Sequence, residues 1–83
     1  MERLRRVLRT HWEPTREDWW QAGLLVRRVG DRQGWEVSKR RAFQNDALIG
    51  LTARRHGATV VTANTYDYQL LAVEIGIHVR PPP

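Results

Sequence analysis

Two aspartates are placed where a carboxylate has a chemical use. Asp46 lies within an apolar segment that predicts an interior helix, where a lone carboxylate is costly unless it is paired, hydrogen-bonded or bound to a metal ion. Asp67 follows a β-branched run at residues 58–62, and the ligands of open α/β sheets gather at the carboxyl ends of strands. We therefore predict that the two carboxylates converge to form a divalent metal site. The alternatives are a rim position for Asp46 and an ordinary helix N-terminal carboxylate for Asp67.

Four helices and two strands are predicted to position these acids. Apolar residues at helical spacing predict the helices, and β-branched or alternating runs predict the strands. The predicted helices cover residues 2–12, 16–32, 39–56 and 66–74, and the predicted strands cover residues 58–62 and 77–79. A helix, a glycine turn and an apolar strand form the αβ unit of a parallel sheet. The sequence therefore predicts one α/β domain over residues 1–83, mostly helical with a short parallel sheet.

The predicted helix ends carry capping residues. Thr15 and Asp18 have the spacing of a capping box before the second helix. Ser38 is the predicted N-cap of the third helix, and glycines 57 and 76 are expected to end the third and fourth helices.

Tryptophans accompany the predicted core. The apolar stripe of the second helix is predicted to be Trp19, Ala22, Val26 and Val29. The alternative use of Trp19 and Trp20 is stacking on nucleic-acid bases. Trp35, in the loop before the third helix, is expected to plug the edge of the core.

The chain is basic, with a formal net charge of +5, and 13 of its 14 basic residues are arginine. Arginine presents a planar, permanently charged fork that suits phosphate, so this balance permits RNA or DNA as a partner. Lys39, Arg40 and Arg41 fall in the first turn of a predicted helix, where the helix dipole disfavours cations. These three residues are therefore candidate RNA-binding residues. The alternative is a solvated surface with an arginine preference that reflects the genome.

Composition excludes several classes of protein. The chain has no cysteine, so it has neither disulfides nor thiolate metal sites. No apolar run approaches the ~20 residues that a transmembrane helix needs, and no secretory signal is expected at the N-terminus. The histidines at 11, 56 and 78 share no metal-ligand spacing. We expect a cytoplasmic protein.

Three motifs occur in an order and spacing that are typical of a known family. They are Asn45-Asp46-Ala47-Leu48-Ile49, Ala53-Arg54-Arg55-His56-Gly57-Ala58 and Thr62-Ala63-Asn64-Thr65-Tyr66-Asp67-Tyr68. Over about residues 38–81 the chain resembles the C-terminal half of a PIN domain, the fold of the VapC-type toxins of bacterial toxin–antitoxin pairs. The last family motif ends in phenylalanine, where this chain has Tyr68. Residues 1–37 match only as helices of the right kind.

The resemblance implies a metal-dependent endoribonuclease whose carboxylates hold Mg²⁺ or Mn²⁺. It implies that Asp46 and Asp67 are catalytic and metal-binding, as the third and fourth acids of the site. Thr62 and Asn64 would support these acids by hydrogen bonds. It also implies RNA as the substrate and an antitoxin protein as a partner.

The chain departs from the family pattern before Asp46. The first family acid lies on an N-terminal strand and the second on an early helix, and neither has a counterpart here. We therefore expect little nuclease activity from this chain alone, and an exposed apolar edge on the strand at residues 59–62. The alternative is a non-enzymatic module that binds RNA or protein and forms a homo-oligomer, or pairs with a partner chain, through that edge. A third interpretation is a small helical domain with chance motif matches.

Overall fold

A computed structural model of the chain describes residues 13–83. Its helices are α1 (Arg16–Gln33), α2 (Val37–Arg55) and α3 (Thr65–Ile75), and its strands are β1 (Thr59–Val61) and β2 (His78–Arg80). The two strands pair in parallel, with Thr59 opposite His78 and Val61 opposite Arg80. This mostly helical arrangement with a short parallel sheet confirms the predicted α/β class and contradicts a purely helical domain. The helix predicted over residues 2–12 lies outside the described residues. None of the three helices has both the length and the apolar character that crossing a bilayer requires.

Local capping chemistry sets most helix ends. Thr15 forms the predicted capping box with Asp18 at the start of α1. Gly57 and Gly76 both have φ near +70°, which favours glycine after a helix. The prediction of Ser38 as the N-cap of α2 is wrong. The N-cap is Glu36, because α2 begins one residue before Ser38, whose hydroxyl donates to the Glu36 carboxylate.

The core lies where α1 crosses α2 and where α3 and the sheet close over α2. Its buried apolar side chains form one cluster: Ala22, Leu25, Val29, Phe43, Ala47, Leu48, Leu51, Ala53, Val60, Tyr68, Leu71 and Ile77. The prediction that Trp19 belongs to this core is wrong, because the side chain is 53% exposed. The buried line of α1 runs through Asp18, Ala22, Leu25 and Val29. Trp19 follows Asp18 by one residue and is therefore rotated about 100° away from that line.

Two contacts place α3 against the long helices. Glu74 near the end of α3 forms ion pairs with Arg28 and Arg32 of α1. In each pair an arginine Nη2 atom lies 3.0 Å from a Glu74 carboxylate oxygen. On α2, Gly50 leaves room for Ile77, whose Cδ1 atom would lie only 3.2 Å from a Cβ at that position. The close approach of α3 and β2 to α2 brings the start of α3 next to the middle of α2.

Candidate functional site

Asp46 and Asp67 come together beside the carboxyl end of β1. Asp46 lies in the middle of α2, and Asp67 lies in the first turn of α3. The Asn64 side-chain amide donates to Oδ2 of Asp46 at 3.2 Å and to Oδ2 of Asp67 at 3.4 Å. Both carboxylates are buried. The predicted convergence of two acids that are distant in sequence is therefore confirmed.

Thr62 and Asn64 shape the turn that leads into Asp67, and Asn64 also reaches Asp46 on α2. Asn64 is the N-cap of α3, yet its side chain makes no capping bond and instead contacts the two carboxylates. Its backbone N–H donates to the buried Thr62 hydroxyl at 3.0 Å. Thr62 thus acts on the acids through Asn64, as a support for the turn.

Tyr68 is a site residue that the sequence analysis missed. Its hydroxyl donates to Oδ1 of Asp46 at 3.1 Å, and its ring is fully buried in the core. A buried tyrosine needs a partner for its hydroxyl, and the tyrosine at position 68, where the motif that the chain resembles has phenylalanine, was the available signal.

The three predicted RNA-binding residues have different surroundings. Lys39 Nζ reaches into the site and contacts Asp67 Oδ2 at 2.7 Å and Oδ1 at 2.9 Å. Arg40 donates to the Asp31 carboxylate and to the Trp35 carbonyl, both at 2.8 Å. Arg41 is exposed. The structure therefore does not bring the three together, and phosphate binding stays a prediction for each of them.

Trp35 is packed at the edge of the core, as predicted. The centroid of its ring lies 4.8 Å from that of the Phe43 ring, and Lys39 Nζ lies over the Trp35 ring, 5.0 Å from its centroid. The indole therefore supports the lysine head group through a cation–π interaction.

Burial and neighbouring charges shift the pKa values of Asp46 and of its partner Tyr68. The pKa of Asp46 is raised to about 6, chiefly by burial and also by the negative charge of Asp67, against the opposing effects of the Tyr68 hydrogen bond and the Lys39 charge. Burial and the Asp46 charge in turn raise the pKa of Tyr68 well above its usual range, so its hydroxyl stays a donor. A raised carboxylate pKa in a pair of buried acids is typical of functional sites.

The donor set suits a hard divalent cation in type but not in number. Carboxylate oxygens are ligands that Mg²⁺ and Mn²⁺ prefer, and Asp46 and Asp67 could supply them, whereas Asn64 directs its side-chain NH₂ group toward both acids. Within residues 13–83, however, no group of three or more histidine, cysteine, aspartate or glutamate side chains is arranged to hold a metal ion. The described residues therefore fit one side of such a site, and the Lys39 ammonium already neutralises Asp67.

Comparison with protein-family models, with curated proteins and with solved structures finds no significant match to this chain.

Proposed function

We propose that this chain is a PIN-like, metal-dependent endoribonuclease of the VapC type, whose Mg²⁺ or Mn²⁺ is held in part by Asp46 and Asp67. The observation that carries the proposal is the shared Asn64 amide, which places two buried carboxylates side by side at the end of a parallel strand. Such a site has no structural need for two acids, since the charge of Asp67 raises the cost of ionising Asp46. A bound cation would remove that cost.

Each residue of the site has a proposed part in holding the metal ion. A metal ion, when bound, supplies an activated hydroxide and offsets the negative charge that develops on the phosphate. Asp46 and Asp67 would hold it, while Asn64 and Tyr68 keep the two carboxylates oriented. The proposal requires further oxygen ligands from outside residues 13–83, such as water, a partner chain or another segment. The partners proposed are cytoplasmic RNA and an antitoxin protein.

Paired aspartate variants test the site. We expect Asp46→Asn and Asp67→Asn each to weaken Mn²⁺ binding by on the order of tenfold, because affinity at such sites depends on the number of charged ligands. Free Mn²⁺ measured by electron paramagnetic resonance reports the affinity, and cleavage of a labelled single-stranded RNA reports the activity. Cleavage by the chain alone is expected to be slow, since two carboxylates bind Mg²⁺ weakly.

Asp31→Asn is the matched control, because Asp31 is an exposed carboxylate on α1 that pairs with Arg40. It should leave both measurements unchanged. Mg²⁺-dependent cleavage that survives Asp46→Asn would refute the assignment of the site.

The second candidate function is a non-enzymatic module that binds RNA or a protein chain. It is favoured by Lys39, which satisfies both oxygens of Asp67 without a metal ion. It is also favoured by β1, which pairs with β2 on one edge and with no other strand among residues 13–83. A homodimer joined through that edge is one form of this candidate. A monomer in sedimentation at high concentration would rule that form out.

A further inference from the structure

Lys39 is the only lysine of the chain, which otherwise uses arginine at every basic position. The single ammonium group is also the cation that enters the pair of acids. Arginine and lysine differ here in kind, because arginine is a rigid, bulky fork and lysine a compact, strongly hydrated point charge. The chain therefore has its one lysine beside the buried carboxylate of Asp67, whereas the buried carboxylate of Asp18 pairs with an arginine, Arg55.

The contact occupies both oxygens of Asp67. Lys39 Nζ lies 2.7 Å from Oδ2 and 2.9 Å from Oδ1, so the ammonium lies between the two oxygens as a bidentate cation would. The Asp67 side chain is only 4% exposed, whereas that of Lys39 is 35% exposed. The carboxylate is fixed inside the fold, and the lysine reaches it from the solvent side.

The lysine is held from one side and open on the other. The Trp35 ring lies under the ammonium, and Phe43 fixes that ring in turn. The rest of the side chain is a flexible four-carbon stem that starts in the first turn of α2. The ammonium can therefore leave Asp67 by rotation of the stem, without any change in α2 or α3.

We propose that Lys39 is an internal counter-ion of Asp67 that a divalent metal ion must displace, so that Lys39 sets the affinity of the site for metal. This inference rests on the proposed function, because it concerns the same pair of acids. A singly charged ammonium neutralises Asp67 when no metal is present and keeps the acid pair from repelling itself. A divalent ion with its greater charge competes for the same oxygens, and the released ammonium then faces solvent.

Charge-neutral substitution of Lys39 tests this competition in the full chain. Because removing a unit positive charge next to the site favours the incoming cation, we expect Lys39→Gln to tighten Mn²⁺ binding by about tenfold or more. Lys39→Arg keeps the charge and should bind Mn²⁺ no more tightly than the wild-type chain. Arg41→Gln removes one positive charge from an exposed side chain in the same helix, where screening by solvent and salt is strong, so its affinity should stay near that of the wild type.

A second measurement follows Lys39 in the unmodified chain. Lysine labelled with ¹³C at Cε gives one side-chain signal, because the chain has a single lysine. Asp67→Asn should shift that signal in the absence of metal, and saturating Mg²⁺ should shift the wild-type signal in the same direction. A lysine signal that does not move at saturating Mg²⁺ would overturn the proposal, whatever the effect of the variants on folding.

The outcomes separate this inference from the proposed function. One outcome is metal binding that is lost in Asp46→Asn and Asp67→Asn but is equal in wild type and Lys39→Gln. That result contradicts the counter-ion proposal alone. Binding in Lys39→Gln but not in wild type supports both. The absence of metal binding in every variant overturns both the counter-ion proposal and the proposed function. Metal binding in Lys39→Gln that persists when Asp67 is also changed to asparagine overturns both as well.

Discussion

Among residues 13–83, the side chains that donate hydrogen bonds to the buried Asp46 carboxylate are both neutral. The Tyr68 hydroxyl and the Asn64 amide donate to it, whereas the cation of the site contacts Asp67 instead. Neutral donors stabilise a carboxylate less than a direct ion pair does, so burial dominates and the pKa rises. The two acids are therefore unequal, since Lys39 contacts Asp67 directly and neutral donors contact Asp46.

The raised pKa of Asp46 predicts how stability depends on pH. Its pKa is about 6 in the folded chain, above the ordinary aspartate value of 3.8 that describes the unfolded chain. Between these values Asp46 binds more protons in the folded chain than in the unfolded chain, so its contribution to the free energy of unfolding falls as the pH rises from about 4 to about 6. The loss should be on the order of 2–3 kcal/mol. Asp46→Asn cannot ionise, so this variant should lack that fall.

Urea unfolding in chelator from pH 4 to pH 7 measures the effect. The stability of Asp46→Asn relative to wild type should increase with pH across this range and level off above it. Asp31→Asn, at an exposed carboxylate, should follow the wild-type curve. Parallel curves for wild type and Asp46→Asn would contradict the raised pKa.

At this scale the sequence identifies the acids but not their partners. Asp46 and Asp67 stand out locally, as a charge on an apolar helix and a charge after a strand. The contacts of Lys39 and Tyr68 depend on how closely α3 approaches α2, which is a property of tertiary packing. A lysine in the first turn of a helix is as compatible with a solvated surface as with an ion pair 28 residues away.

The helices follow local signals at most of their ends and tertiary packing along their faces. The capping box of α1 and the glycines after α2 and α3 are local features, and the structure confirms them. Ser38 and Trp19 are the failures. The contact between α1 and α2 decides whether α2 begins at Ser38 or a residue earlier. It also decides whether Trp19 or Leu25 faces α2, and local spacing has little influence on that contact.

Two glycines of α1 lie in contrasting environments and give a matched test of that contact. A Cβ at Gly23 would meet nothing within 4 Å, whereas a Cβ at Gly30 would lie 2.8 Å from Nη1 of Arg40. Gly23→Ala should raise the free energy of unfolding by about 0.5–1 kcal/mol, because alanine loses less conformational entropy in a helix. Gly30→Ala should gain less, since it pushes the Arg40 guanidinium away from Asp31 and the Trp35 carbonyl.

Urea unfolding of both variants under the same conditions decides the comparison. Equal gains would show that Arg40 adjusts around Gly30 at no cost, and that the guanidinium contributes nothing to the junction of α1 and α2. Because neither glycine touches the acids, neither variant should change Mn²⁺ affinity.

Over the whole molecule, a net positive charge accompanies a small pair of buried acids. The chain has a formal net charge of +5, while Asp46 and Asp67 are buried together under one lysine. The long-range field that would attract RNA therefore comes from the arginines, and the chemistry would come from the acids. Affinity for RNA and activity on RNA are thus expected to depend on different residues.

The double variant with asparagine at positions 46 and 67 tests this separation. Loss of two carboxylates raises the formal net charge from +5 to +7, so in chelator the variant should bind single-stranded RNA at least as tightly as wild type. For both proteins the logarithm of the binding constant should fall linearly with the logarithm of salt concentration, by about 0.7 for each phosphate neutralised. Fluorescence anisotropy of a labelled RNA between low and moderate salt measures this slope, and gel analysis of the same RNA with Mg²⁺ measures cleavage. Arg41→Gln should flatten the slope by at most one phosphate contact. Salt-dependent binding by the wild type with no cleavage, even with partner chains supplied, would favour the non-enzymatic module. Binding that disappears in the double variant would place the RNA contact at the acids themselves. It would contradict the expectation that affinity for RNA and activity on RNA depend on different residues.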